Sequence, residues 1–255
     1  ELQSYKKQYA VPRKTLIDNL EEAVVEEKKI EEMDVVFLMD RFGYAKTVDV
    51  SVYERNKEAA DTENRYILTC KNTDKICIFT NKGQMHLLKV LDLPYGKFRD
   101  KGIPIDNLSN YNSSEENFIY IINLGAIIHS RLLFGTKTAM LKMVDGSEFD
   151  VAKRTTASTK LNEDDELLIV HAMTGEETVV MQSEKEMFLR IEASTIPEKK
   201  KGAVGVRGMK LNAGDALSNI YVLDGESEQT VEVKGKEVVL NRLRVGNRDT
   251  KGTKR

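Results

Sequence analysis

Two cysteines, Cys70 and Cys77, are all that 255 residues hold. They lie close together in sequence, with no further Cys and no His pair beside them. A zinc site needs four such ligands at close spacing, so none is built here. Both thiols read as reduced core residues of a cytosolic protein. The three histidines, His86, His129 and His171, are isolated, each in or beside an apolar strand. They read as core or strand-face residues and form no catalytic or ligating cluster. No apolar run reaches the length of a membrane-spanning helix, and no signal peptide is visible. There is no initiating Met, and the chain opens inside a charged helical pattern, as a fragment of something longer would. Net charge is small as well: 39 Lys and Arg against 41 Asp and Glu leave −2. By itself that balance argues for no partner.

The charge is unevenly distributed, however. Residues 196–255 hold 13 Lys and Arg against 8 acids, while residues 34–195 hold 20 against 25. A basic end on a neutral chain points to a surface that faces a polyanion. An ordinary solvated face is the plainer alternative. With 40% hydrophobic residues there is enough apolar material for a core.

Residues 13–33, "RKTLIDNLEEAVVEEKKIEEM", read as a helix. Leu16, Leu20, Val24 and Ile30 recur at helical spacing, and Pro12 stands at the start. After Met33 the pattern changes to short runs rich in Val, Ile, Phe and Thr, with no later segment of long helical period. One hairpin template recurs five times: "VFLMDRFGYAKTV", "ICIFTNKGQMHLL", "RLLFGTKTAMLKM", "TVVMQSEKEMFLRI" and "QTVEVKGKEVVLNRL". The turns centre near Gly43, Gly83, Thr138, Lys185 and Gly235, at gaps of 40, 55, 47 and 50 residues. A period of that size with several short strands per unit is the signature of propeller blades. The alternative is a set of unrelated hairpins in a β-sandwich. Turn-rich connectors separate the hairpins, at 54–64, 95–117, 152–165 and 197–215, each expected to end one blade and lead into the next.

The fourth connector holds "EKKKGAVGVRGMKL" (198–211), three lysines followed by glycines at every third position. A dinucleotide cradle needs a strand before the glycines, a helix after, and a G-x-G-x-x-G spacing. Here the spacing is G-x-x-G-x-x-G and strand-like sequence follows. The acidic stretches 112–117 and 162–166 read as solvated turns that would repel a polyanion on their side.

Several of these segments resemble a known family. "YAVPRKTLIDNLEE" resembles the stretch that joins the coiled-coil arm of the bacterial type IIA topoisomerase A subunit to its C-terminal domain. "IFTNKGQMHLLKVLDLP" resembles that domain's blade hairpin, and "KKKGAVGVRGMKLNAGD" its blade-closing connector. The resemblance runs over essentially the whole chain. It implies an all-β fold, a β-pinwheel of about five blades preceded by a short N-terminal helix. Residues 1–33 would be the helical linker from the arm, and 34–255 the pinwheel.

In that family the basic rim of the disc binds and bends duplex DNA. The cutting tyrosine lies in an earlier domain, and ATP and Mg are used by the full A2B2 enzyme with its B subunit. The resemblance thus implies a non-catalytic, cytoplasmic DNA-binding domain with no cofactor of its own. The expected phosphate contacts are Lys199, Lys200, Lys201, Arg207 and Lys210 in one connector, then Arg242, Arg244, Arg248, Lys251, Lys254 and Arg255 in the last. Weaker candidates are Arg41, Lys46, Lys82, Lys89, Arg99 and Lys101. Gyrase A subunits carry a Gly-rich box in the first connector, where this chain has "YERNKEAADTENRY". That departure implies a topoisomerase IV-like role over true gyrase, although "GNRDTKGTKR" at the end faintly resembles the box. Two other classes stay open: a propeller used as a protein-interaction scaffold, and an enzyme with a site in a propeller channel, for which no converging acids or histidines are seen.

Overall fold

The computed structural model describes residues 2–11 and 30–255. The chain falls into two compact units, Glu1–Glu31 and Glu32–Arg255. In the first, helix α1 (Leu2–Tyr9) is described, with no buried residue. Residues 30–33 are irregular, and the rest of the helix expected over 13–33 lies outside the described residues.

The second unit begins with hairpin β1 (Asp34–Met39) and β2 (Tyr44–Asp49), then helices α2 (Val50–Arg55) and α3 (Lys57–Glu63), and β3 (Tyr66–Lys71). Hairpin β4 (Lys75–Thr80) and β5 (Gln84–Lys89) follows, with β6 (Ile103–Pro104), β7 (Phe118–Asn123) and the one-turn helix α4 (Leu124–Ile127). Next come hairpin β8 (Arg131–Thr136) and β9 (Met140–Asp145), β10 (Thr155–Ala157) and β11 (Leu167–Met173). The chain closes with hairpin β12 (Thr178–Ser183) and β13 (Met187–Glu192), β14 (Val206–Arg207), β15 (Leu217–Leu223), hairpin β16 (Thr230–Val233) and β17 (Lys236–Val239), and β18 (Thr253–Lys254).

The five expected hairpins are all present. In the first four the strands form where apolar residues run almost without interruption, because both faces are covered: Val35 to Met39 are each buried. In the first four, the turn closes through an N–H bonded to the carbonyl three residues back, at Gly43, Gly83, Ala139 and Glu186. These four residues have φ of 85°, 71°, 63° and 63°. The turns at Ala139 and Glu186 therefore sit one residue later than the expected centres Thr138 and Lys185, because the left-handed residue sets the turn.

Four hairpins grow into four-stranded antiparallel sheets, ordered β3-β1-β2-β6, β10-β5-β4-β7, β11-β8-β9-β14 and β15-β12-β13-β18; the fifth is the pair β16-β17. These orders correct one expectation. A connector does not finish its own blade before leaving it. After each hairpin from the second to the fifth, the chain crosses back and adds a short outer strand to the preceding blade. After the second, third and fourth hairpins, it then returns and supplies the inner strand of its own blade. The stretch 198–211 thus completes the third blade, through Val206 opposite Leu141 and Arg207 opposite Met140, and not the fourth.

Cores lie between successive blades. Phe37 and Met39 of the first blade pack with Ile76 and Ile78 of the second. Phe79 and Met85 meet Leu132 and Phe134. Leu133 and Leu141 meet Val179 and Met181. Val180 and Phe188 meet Val233 and Leu240. Inner strands β3, β7, β11 and β15 lie in sequence beside one another. The far face of the first blade, Val36, Leu38 and Val48, is covered by α2 and α3 through Val50, Val52, Tyr53 and Ala60. These two helices replace the turn-rich connector expected at 54–64. Asp49 caps α2 by accepting the Ser51 N–H at 2.8 Å, and Ala60 is fully buried. Each helix is under two turns long, too short to display a period in the sequence.

The acidic turns are also less open than expected. Glu116 and Asp165 are buried, at 7% exposure each. Asp165 accepts from the Thr138 N–H (3.0 Å) and hydroxyl (2.6 Å).

Candidate nucleic-acid interface

The crossing connectors are where the chain lies outermost on each blade. Three of the four crossings have a glycine immediately before the outer strand. A Cβ on Gly102 would lie 2.6 Å from the Ala45 carbonyl oxygen, on Gly205 2.5 Å from that of Leu141, and on Gly252 2.8 Å from that of Phe188. Only glycine admits so close a backbone approach. Of the glycines in 202–208, Gly205 therefore serves strand exchange. None has positive φ, and a strand, not a helix, follows Gly205.

The third crossing is a basic turn pinned on the rim. Lys199 N–H donates to Met143 O (2.8 Å), and Met143 N–H to Pro197 O (3.1 Å). Lys199 and Lys200 are exposed. The Lys200 ammonium is 3.5 Å from Glu148. Lys201 is half-buried: its N–H donates to the Glu148 carboxylate (3.0 Å) and its ammonium to the Glu148 carbonyl (2.8 Å). Of the three lysines, Lys201 is thus the one committed to holding the turn.

The fourth crossing runs alongside the third. Asp249 N–H donates to Gly208 O (2.7 Å), and Lys210 N–H to Thr250 O (2.9 Å). Arg248 donates to the Arg207 carbonyl (3.0 Å), and the Arg207 guanidinium lies 3.4 Å from Asp249. Backbone pairing thereby brings Arg207, Lys210, Arg248 and Lys251 onto one strip. Beside it, Arg244, Lys251 and Arg255 line a groove of about 540 Å³ floored by Phe188 and Leu189. Lys254 sits on β18 opposite Met187. Arg242, on the turn after β17, pairs with Glu228 at 3.2 Å and lines another groove together with Arg255.

The weaker candidates separate. Arg99 is exposed. Arg41 lies over the Phe42 ring (4.7 Å), and Lys101 over Tyr44 (4.8 Å). Lys82 is paired with Glu166 at 2.8 Å. Lys46 is turned inward, donating to the carbonyls of Phe98 and Asp100, and burial pulls its pKa down. Lys89 belongs to a groove that sequence reasoning missed: with Lys75, Lys153 and Arg154 it rings about 310 Å³ over Leu87 and Val151. Lys153 and Arg154 lie on the second crossing, and applying the hairpin period to the connectors themselves would have found them.

No group of three or more His, Cys, Asp or Glu arranged for a metal occurs among the described residues. Burial pushes the Cys70 thiol up to about 11 and Cys77 up to about 12, as for inert core thiols.

Residues 130–172 and 177–224 match the family profile described as DNA gyrase C-terminal domain, beta-propeller. Among curated proteins, the chain is 28% identical to the DNA gyrase A subunit of Lawsonia intracellularis over 99% of its own length and 33% of that protein's. It is 29% identical to the DNA gyrase A subunit of Staphylococcus epidermidis, over 100% of its length and 30% of that protein's. The chain thus spans about a third of the length of these relatives. Among solved structures it resembles the C-terminal domain of DNA topoisomerase IV (TM-score 0.78, 22% identity, 88% of this chain and 73% of that one). It also resembles the E. coli ParC C-terminal domain (TM-score 0.71, 15% identity, 87% and 94% covered) and the DNA gyrase A C-terminal domain (TM-score 0.58, 17% identity, 87% and 76% covered).

Proposed function

We propose that this chain, which belongs to the family of β-pinwheel C-terminal domains of bacterial gyrase A and topoisomerase IV A subunits, binds duplex DNA along its crossing connectors and bends it. The observation that carries the reading is the pairing of the third and fourth crossings, which gathers Arg207, Lys210, Arg248 and Lys251 beside the exposed Lys199 and Lys200. Such a strip suits phosphate contacts without base reading. The second groove, ringed by Lys75, Lys89, Lys153 and Arg154, offers further cations for a duplex. The whole protein would be the A subunit of a cytoplasmic, nucleoid-associated A2B2 enzyme, with ATP and Mg used elsewhere in the assembly, and this domain would guide duplex to strand passage.

A topoisomerase IV-like role is favoured by the first connector. Its residues form two helices over the first blade, where a Gly-rich box would mark a gyrase. Supercoiling and decatenation assays on the full A and B subunits test that choice. Decatenation should dominate, and efficient negative supercoiling would overturn it.

The binding reading is tested by duplex affinity across a salt series. Replacing Lys199, Lys200 and Arg207 together with Glu should weaken binding at least tenfold, equally for unrelated sequences, and flatten the salt slope by about three contacts. Absence of duplex affinity at low salt would overturn the proposal and favour a protein-interaction scaffold.

A further inference from the structure

The third residue after each left-handed turn residue is Lys46, His86, Lys142 and Leu189 in blades one to four. The first three are polar and drawn inward, and in the fourth blade Arg190, one position on, does the same. Each reaches the segment that crosses back from the next hairpin. Lys46 donates to the carbonyls of Phe98 and Asp100. His86 bonds Thr155 on β10 (3.0 Å) and Glu116 (2.8 Å). Arg190 donates to the carbonyls of Asn241 and Leu243. Lys142 donates to the carbonyls of Lys201 (2.7 Å), Ala203 (2.8 Å) and Lys200 (3.3 Å).

Lys142 is the extreme case. It is 1% exposed, so it cannot touch a ligand on the rim. All three of its N–H donors are used on three carbonyls of one turn. From the short helical turn Gly146–Phe149, Glu148 grips the same segment through the Lys201 N–H. The Phe134 ring lies 5.5 Å from the ammonium on the adjacent strand. The charged group that acts on Lys142 is Glu148, while Lys200 and Lys201 turn their carbonyls to it.

We infer that these inward side chains are latches for the crossing connectors, and that Lys142 is the positioning residue that holds the Lys199–Ala203 turn in the shape that presents Lys199 and Lys200 outward. The inference deepens the DNA-binding reading and rests on it for its functional consequence. Burial lowers the Lys142 pKa to about 8, opposed only by Glu148, whereas an exposed lysine keeps its charge to about pH 10. Neutral Lys142 has two N–H donors and a lone pair facing three carbonyls. The latch therefore loosens as pH rises through about 8.

The test uses the whole chain, with Lys142→Met to remove the donors at nearly constant volume and Lys142→Arg to keep charge and donors. Amide exchange is followed at Lys199, Ala203 and Gly208, and affinity for a labelled random-sequence duplex is measured at about pH 7 and about pH 9. In Lys142→Met, exchange at these amides should rise roughly tenfold, the scale of losing one well-made hydrogen bond, with strands β8 and β9 unchanged. Its duplex affinity should fall several-fold at pH 7 and vary little with pH, whereas wild type should decline toward the variant at pH 9. Lys142→Arg should keep the slow exchange and lose the pH dependence. Unchanged exchange in Lys142→Met, or a wild-type affinity that is flat between the two pH values, would overturn the latch. The wild-type arm needs no variant to fold. If wild type binds no duplex at all, the DNA-binding reading fails, while the exchange arm still decides the latch.

Discussion

Glu166 shows how much a single side chain depends on the crossing topology. In the sequence it is the last acid of "NEDDE", indistinguishable from the three acids before it. In the fold its carboxylate binds Lys137, 29 residues away, and Lys82, 84 residues away at 2.8 Å. Those two lysines, Lys137 first, hold its pKa down at about 2. A depressed carboxylate contributes stability that is present above its unfolded pKa of about 4.5 and is lost as pH falls from there toward 2. Glu166→Gln should cost on the order of 1–2 kcal/mol at neutral pH, allowing for partial solvent screening, and nothing near pH 2. Urea unfolding of both proteins across that range checks it. The same distance in sequence explains why Asp165, Glu116 and Lys46 were unreadable as structural residues. Asp165 is held by Thr138, Glu116 by His86 and Lys46 by the carbonyls of Phe98 and Asp100, partners 27 to 54 residues away. Lys199, Lys210 and the last basic residues were legible because exposure is what composition predicts for them.

At the scale of elements, hairpins were visible and crossings were not. A six-residue strand shows its apolar run; β6, β14 and β18 are two residues each. What marks them is the glycine that precedes them, and that sets up a contrast within one connector. Gly205→Ala places a Cβ against the Leu141 backbone and should destabilise by roughly 1–3 kcal/mol, loosening β14 first. Gly202→Ala meets nothing within 4 Å and has no positive φ, so it should be neutral or stabilising by up to about 1 kcal/mol. Denaturant midpoints of the two variants separate a glycine required by packing from one that is not. Helices α2 and α3 escaped notice for their shortness, although Asp49 and the Ala59–Ala60 pair were signals. Replacing residues 50–63 with a short polar linker would uncover Val36, Leu38 and Val48. The variant should unfold at lower denaturant and aggregate, as light scattering would show.

For the molecule as a whole, the period of five hairpins gave the blade architecture, and the cores between blades follow from it. The ends of the stack did not follow. The first blade is covered by helices on its far face. The fifth hairpin packs Val231, Val233 and Val238 toward the fourth blade and leaves Thr230, Glu232, Lys236 and Glu237 in water. Both terminal faces are thus finished by polar surface, as end units of repeat arrays require.

Strand exchange also has a mechanical side. The residues proposed to grip DNA at 199–210 belong to the chain segment that finishes the third blade, and those at 244–255 to the one that finishes the fourth. A pull on either connector loads two neighbouring sheets at once, in shear along backbone hydrogen bonds. Torque from a duplex bent as proposed would therefore be shared between the two blades that each connector joins.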